Sequence, residues 1–170
     1  PVQLWGKTPD QRHYLVLASG LTGSDGSYSF QQAGLTTNMR YYVATVPSKH
    51  VKRRHTALLF QGVQDVVTMQ AGSGTATAGE VVTFSGTVTP DKAGHVIYLQ
   101  RQDKHGDWNT VEVAVVRPDS TYQFAWKFGA PGTFSFRARI TSDERNVGSH
   151  SDPASVTVTL PPASSLPPAS

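Results

Sequence analysis

At 170 residues, with 38% apolar and 16% charged side chains, the chain has the composition of a globular protein of one or two domains rather than a disordered one. It contains no cysteine, which excludes a disulfide framework, a thiol nucleophile and thiolate metal sites. The net charge of +3 is uneven: residues 1–64 hold seven Lys/Arg against two Asp/Glu, residues 65–170 eight against ten, so attraction to a polyanion belongs to the first part.

Thr, Val, Ser and Gly are abundant and no amphipathic helical pattern occurs, which predicts an all-β chain. No run approaches the roughly 18 consecutive apolar residues of a membrane span, so membrane insertion is not expected. The sequence starts at Pro1 without a signal-peptide pattern and reads as a piece of something longer.

The opening residues Val2–Lys7 read as a strand. Gly23-Ser-Asp-Gly-Ser-Tyr-Ser-Phe reads as a turn leading into another. A third covers Arg40–Val46, with Tyr42, Ala44 and Val46 on one face, and a last one covers Ala57–Val63. Between these two lies the basic run Lys49-His-Val-Lys-Arg-Arg-His55. Gln64 and Asp65 mark a handover with almost no linker.

From Asp65 on, seven strands are predicted: 65–71, 81–89, 96–102, 108–116, 121–128, 133–140 and 155–160. Turn signals at 89–94, 105–107, 118–120 and 130–132 separate them. The clearest is Arg117–Phe128, where Pro118, Asp119 and Ser120 suit a tight turn. Tyr122, Phe124, Trp126 and Phe128 then alternate with Thr121, Gln123, Ala125 and Lys127, so one face carries four aromatics. Pro161–Ser170, rich in Pro, Ser and Ala, reads as a disordered tail or linker.

The chain also matches itself. At an offset of 94, Val2 meets Val96, Tyr14 meets Trp108, Asp25 meets Asp119, Tyr28 meets Tyr122, Phe30 meets Phe124 and Tyr42 meets Phe136, without a gap through Ser48 and Ser142. Self-similarity at a fixed period is the mark of an array. The strands at 65–71 and 81–89 have no counterpart before Val2. Residues 1–64 are therefore expected to be a module lacking its first two strands, residues 65–160 a complete one, and residues 161–170 a tail. About seven short alternating strands with regular turns predict tandem immunoglobulin-like (fibronectin-III-like) β-sandwiches.

These segments resemble the tandem immunoglobulin-like repeats of large exported actinobacterial proteins. The resemblance rests on Thr75-Ala-Thr-Ala-Gly-Glu-Val-Val-Thr-Phe-Ser-Gly-Thr-Val-Thr-Pro, His95-Val-Ile-Tyr-Leu-Gln-Arg, Gly106-Asp-Trp-Asn-Thr-Val, the Asp25/Tyr28/Phe30 and Asp119/Tyr122/Phe124 pairs, and Ser155-Val-Thr-Val-Thr-Leu. It implies a non-catalytic module, outside the cytoplasm or at the cell surface, within a longer protein. Its partners would be neighbouring domains.

No Gly-x-Ser-x-Gly elbow, His-Glu-x-x-His or Gly-x-x-x-x-Gly-Lys occurs, and neither an enzyme nor a cofactor is expected. Asp103-Lys-His105-Gly-Asp107 spaces three potential metal ligands, but a hairpin tip wants Asp and Gly for its own geometry, so no metal site is expected. Lys49, Lys52, Arg53 and Arg54 form a candidate polyanion contact, set against the simpler reading of a solvated loop. No aromatic residue is interleaved there, and nucleic acid is not the expected partner. Trp5, Trp108 and Trp126 are candidates for a sugar-binding face, with at least two of the three expected in the core. The function expected is a spacer or stalk, with adhesion as an added role. The alternative is an accessory module holding a secreted enzyme on polysaccharide or cell-wall polymer.

Overall fold

The computed structural model describes residues 1–162, and these are all-β with no helix. The Pro/Ser/Ala-rich tail expected at 161–170 lies, beyond Pro162, outside the described residues. The chain divides into two compact units. One comprises Pro1–Asp65 and Ser142–Gly148, the other Val66–Thr141 and the described residues from Ser149 on.

The first unit holds β1 (Val2–Lys7), β2 (Leu15–Gly20), β3 (Met39–Thr45) and β4 (Leu59–Gln61), in one antiparallel sheet of order β2-β1-β3-β4. The second holds β5 (Val66–Val67), β6 (Gln70–Ala71), β7 (Thr75–Thr77), β8 (Val81–Thr89), β9 (Val96–Gln102), β10 (Trp108–Val115), β11 (Thr121–Lys127), β12 (Gly132–Ile140) and β13 (Ala154–Thr159). Here there are two sheets, β10-β9-β12-β13-β7 and β11-β8-β5, with β6 also paired to β8.

The second unit is an immunoglobulin-like β-sandwich. Alternation along each strand aims Phe84, Ile97, Leu99, Phe124, Phe136 and Val156 between the sheets, each at most 2% exposed. Rings interlock across the gap, with Phe84 and Phe136 centroids 4.8 Å apart and Phe128 edge-on to Phe136 at 5.9 Å. Full burial of each such side chain is worth roughly 1.5–3 kcal/mol. The single opening strand predicted at 65–71 is broken into β5 and β6. An unpredicted third piece, β7, crosses to the other sheet and pairs in parallel with β13. Parallel pairing depends on a partner 82 residues away (Thr75 opposite Thr157), which no local pattern announces.

Tyr122 is buried on β11, and its hydroxyl donates to the Thr68 carbonyl. Burial raises its pKa, since the phenolate would lose its water. That hydroxyl and carbonyl meet over Gly86 on β8, where no side chain would fit.

The first unit has no second sheet among the described residues. Leu4, Met39 and Tyr41 cluster on one face with Leu17, Ala18, Phe30, Leu35 and Val43. The turn predicted at Gly23–Ser27 is present, but the strand expected to follow it is not, and residues 21–38 contain none. The turn copies the one at Arg117–Thr121 bond for bond. Gly23 N–H donates to the Ser27 carbonyl (2.8 Å) as Arg117 does to Thr121 (2.8 Å), and Asp25 caps Ser27 as Asp119 caps Thr121. Gly26 and Ser120 both take positive φ, +83° and +61°. What differs is the neighbour: β11 is held by β8, and residues 27–33 have no strand beside them. Leu21 is accordingly 77% exposed.

The ungapped offset of 94 does not survive in β1 and β3. Leu4 pairs with Ala18 and Val43 just before a bulge, and Leu99 pairs with Glu112 and Ala138 just before the matching bulge. Leu4 therefore corresponds to Leu99, and Tyr41, not Tyr42, to Phe136, an offset of 95. One residue of slip moves every side chain to the opposite face. The inward residues of β3 are Met39, Tyr41 and Val43, so Tyr42 and Ala44 face away from that cluster.

Candidate binding surface

The outer face of the β2-β1-β3-β4 sheet brings together the rings of Trp5, Tyr14, Tyr42 and Phe60 and the cations Lys7, Arg40 and Arg53. Alternation places Gln3, Trp5 and Lys7 of β1 opposite Ala44, Tyr42 and Arg40 of β3 on this face. Trp5 and Tyr42 lie parallel, 5.9 Å apart at 6°, and Tyr14 meets Tyr42 edge-on at 5.0 Å. Lys7 Nζ sits 5.5 Å from the Tyr14 centroid, and the Arg53 guanidinium 5.5 Å from that of Trp5, within cation–π range. His55 closes the row edge-on to Tyr42 at 5.8 Å. Trp5 Nε1 is buried and has no hydrogen-bond acceptor among the described residues.

The basic run reaches this face because it folds back along β3. Thr45 N–H donates to the Arg54 carbonyl (2.9 Å), Arg54 N–H to Thr45 Oγ1 (2.9 Å) and Thr56 N–H to the Val43 carbonyl (2.9 Å). Of the four predicted contact residues, only Arg53 is brought to the rings. Lys49 and Lys52 are exposed on the connection, and Arg54 borders a shallow groove with Val2, Tyr28 and Val43. The sequence shows no aromatic within the run; the fold supplies them from β1, β3 and the loop before β2.

Sequence reasoning missed Lys7, Arg40 and Phe60. Lys7 and Arg40 are direct cross-strand partners, and Arg40 is in turn opposite Phe60 of β4. With Asn38 and Glu144 they border a groove of about 280 Å³. Its floor is fixed by buried Asn38, whose Oδ1 accepts from Val63 N–H (2.8 Å) and whose Nδ2 donates to the Glu144 carbonyl (3.1 Å). The signal was available in the period-two alternation of β1 and β3, lost through the one-residue error in register.

The three tryptophans do not divide as expected. Trp126 packs part-buried on the second unit's core, beside Phe136 at 5.9 Å. Trp108 and Trp5 lie part-buried on outer sheet faces, because each faces away from its unit's apolar cluster. Trp108 is capped by the Arg137 guanidinium at 4.5 Å, and Arg137 Nε donates to Gln100 Oε1 (2.9 Å). Burial, and then the nearby Arg139 charge, lower the Arg137 pKa.

Asp103 serves its own loop. Its carboxylate accepts from the N–H groups of His105 (2.8 Å) and Asp107 (3.0 Å) and from Asn109 Nδ2 (3.0 Å), which hold its pKa below the ordinary value. Among the described residues no three His, Cys, Asp or Glu side chains gather as metal ligands, and no helix is long and apolar enough to cross a membrane.

No protein-family model matches the sequence, and no curated protein matches it. Among solved structures, the D00-D0 domain of intimin is similar at 12% identity over 92% of this chain and 78% of that one, with a TM-score of 0.42. The D0-D1 domain of intimin is similar at 11% identity with a TM-score of 0.41, over 69% of this chain and 62% of that one.

Proposed function

We propose that the chain is a non-catalytic structural module, a spacer or stalk segment of a longer protein displayed outside the cell, built as a tandem array in which residues 65–160 are a whole module and residues 1–64 one lacking its first two strands. The observation that carries this reading is the parallel pair β7–β13. Because the two strands run the same way, tension between the start and the end of the second unit slides them past one another. It loads the Thr157 N–H to Gly74 carbonyl (2.9 Å) and Ala78 N–H to Thr159 carbonyl (2.8 Å) bonds together. An antiparallel terminal pair would instead open one bond at a time. A clamp loaded in shear suits an element that transmits force.

Single-molecule extension through the two ends tests it. Residues 66–159 should rupture in one event, releasing about 330 Å of contour at ~3.5 Å per residue, less the distance their ends already span when folded. Ala78→Pro, which removes one clamp donor, should lower the rupture force while the module still refolds. Gradual extension without a rupture peak would refute the force-bearing role.

A second reading, an accessory module that holds its parent on polysaccharide or wall polymer, is favoured by one observation. The rings of Trp5, Tyr14 and Tyr42 lie on an outer sheet face rather than in an apolar core.

A further inference from the structure

We propose that the outer face of the β2-β1-β3-β4 sheet binds an acidic polysaccharide, its carboxylate or phosphate groups held by Lys7, Arg40 and Arg53 and its sugar rings laid against Phe60. The proposal rests on the accessory-module reading and names its ligand class and contact residues.

The first argument is a cost that folding does not explain. Lys7 and Arg40 are directly opposite on adjacent strands, where like charges repel. Neither is in an ion pair among the described residues, although Glu144 shares their groove. None of the four strands contains an Asp or Glu. The corresponding positions of the second unit are Gln102 and Ser135, so a sheet of the same topology forms without the paired charge. Trp5 and Tyr42 likewise correspond to Gln100 and Arg137.

The second argument is complementarity. Three cations on a face whose strands carry no acid attract an anion, Glu144 at the groove's border offsetting one charge, and Lys7 and Arg53 are steered by the rings of Tyr14 and Trp5 beneath them. Beside Arg40, Phe60 is 56% exposed on the same face. A pyranose can set its C–H face on that ring while its acid group reaches the Lys7–Arg40 pair. Single-stranded nucleic acid is held by stacking its bases on several free ring faces. Here the faces of Trp5 and Tyr14 are overlain by cations, which favours a ligand engaged through charge and one apolar ring.

The test is equilibrium binding of the 170-residue chain to soluble polygalacturonate (carboxylate), a phosphomannan (phosphodiester between pyranoses), neutral dextran and a DNA duplex. The expected result is salt-sensitive binding to one or both acidic glycans, with the stronger of the two identifying the acid group, and little to dextran. K7Q/R40S, which installs the second unit's residues, should weaken acidic-glycan binding at least tenfold without lowering the melting temperature. F60A should weaken it several-fold while leaving any DNA binding unchanged, and K49Q/K52Q should change it less than twofold. Acidic-glycan binding unchanged in K7Q/R40S overturns the proposal. So does DNA binding as tight as glycan binding with F60A silent on both, since the face would then read charge alone. Dextran binding equal to that of the acidic glycans, and unaffected by K7Q/R40S, removes the acidic-ligand inference but leaves the accessory reading standing; no binding to any glycan removes both.

Discussion

Gly86→Ala is the sharpest test of the core geometry. A Cβ on Gly86 overlaps the Thr68 carbonyl oxygen outright and lies 2.7 Å from both the Thr68 carbonyl carbon and Tyr122 Oη. The obstacle is backbone, so Thr68 must move. That segment is tied by Thr68 N–H to the Thr87 carbonyl (3.0 Å), by Thr87 N–H to Thr68 Oγ1 (3.0 Å) and by the Tyr122 hydroxyl on the Thr68 carbonyl. Losing two of these at about 1 kcal/mol each, and leaving a buried tyrosine hydroxyl unpaired at about 1–3 kcal/mol, gives a cost of about 3–5 kcal/mol. At roughly 4–8 °C per kcal/mol for a domain of this size, the melting temperature should fall by more than about 12 °C. Chemical denaturation of wild type, Gly86→Ala, Tyr122→Phe and the double variant gives the assay. Tyr122→Phe removes the hydroxyl that Gly86→Ala orphans, so the double variant should lose less than the sum of the singles. A Gly86→Ala cost below about 1 kcal/mol, or strict additivity, would refute the reasoning.

Trp126→Ala should cost about 2–3 kcal/mol, less than Phe124→Ala at about 3–5 kcal/mol, because Trp126 is only part-buried and Phe124 is 2% exposed; the order is read from paired denaturation curves. Asp25, Asp103 and Asp119 have pKa values lowered below 3.8 by loop hydrogen bonds, chiefly from Ser27 N–H, His105 N–H and the Thr121 hydroxyl respectively. Their folded values lie below the unfolded ones, so each contributes stability that is present above about pH 4 and lost as the pH falls through the folded value. Asn at 103 and 119 should therefore flatten the acid limb of the stability–pH curve and leave its shape near neutrality unchanged.

The sequence made the second unit readable because its burial pattern is local. Tyr122, Phe124 and Phe128 alternate with exposed Gln123, Ala125 and Lys127, and period-two alternation reports that directly. The Asp25 and Asp119 turns were equally plain, since a carboxylate capping the residue two positions on needs nothing from the rest of the fold. The strand after Asp25 was misread because strands are made by partners: with no counterpart of β8 among the described residues, residues 27–33 keep the pattern and lose the ladder. Tyr42 was placed on the wrong face by one residue of slip, and that error hid the row of Trp5, Lys7, Arg40 and Tyr42. Arg53 could be flagged as basic but not as a neighbour of Trp5, because the return of residues 54–56 along β3 depends on Thr45 and Val43.

The measurement that bears most directly on this account is amide hydrogen exchange across the whole chain. Slow exchange, near the global stability, is expected in β8, β9, β12 and β13, which frame the sandwich core, and fast exchange in residues 28–36, which have no strand beside them among the described residues. Protection at 28–33 equal to that in β11 would mean that a second sheet forms over the first unit, and would contradict the proposal that residues 65–160 are a whole module and residues 1–64 an incomplete one.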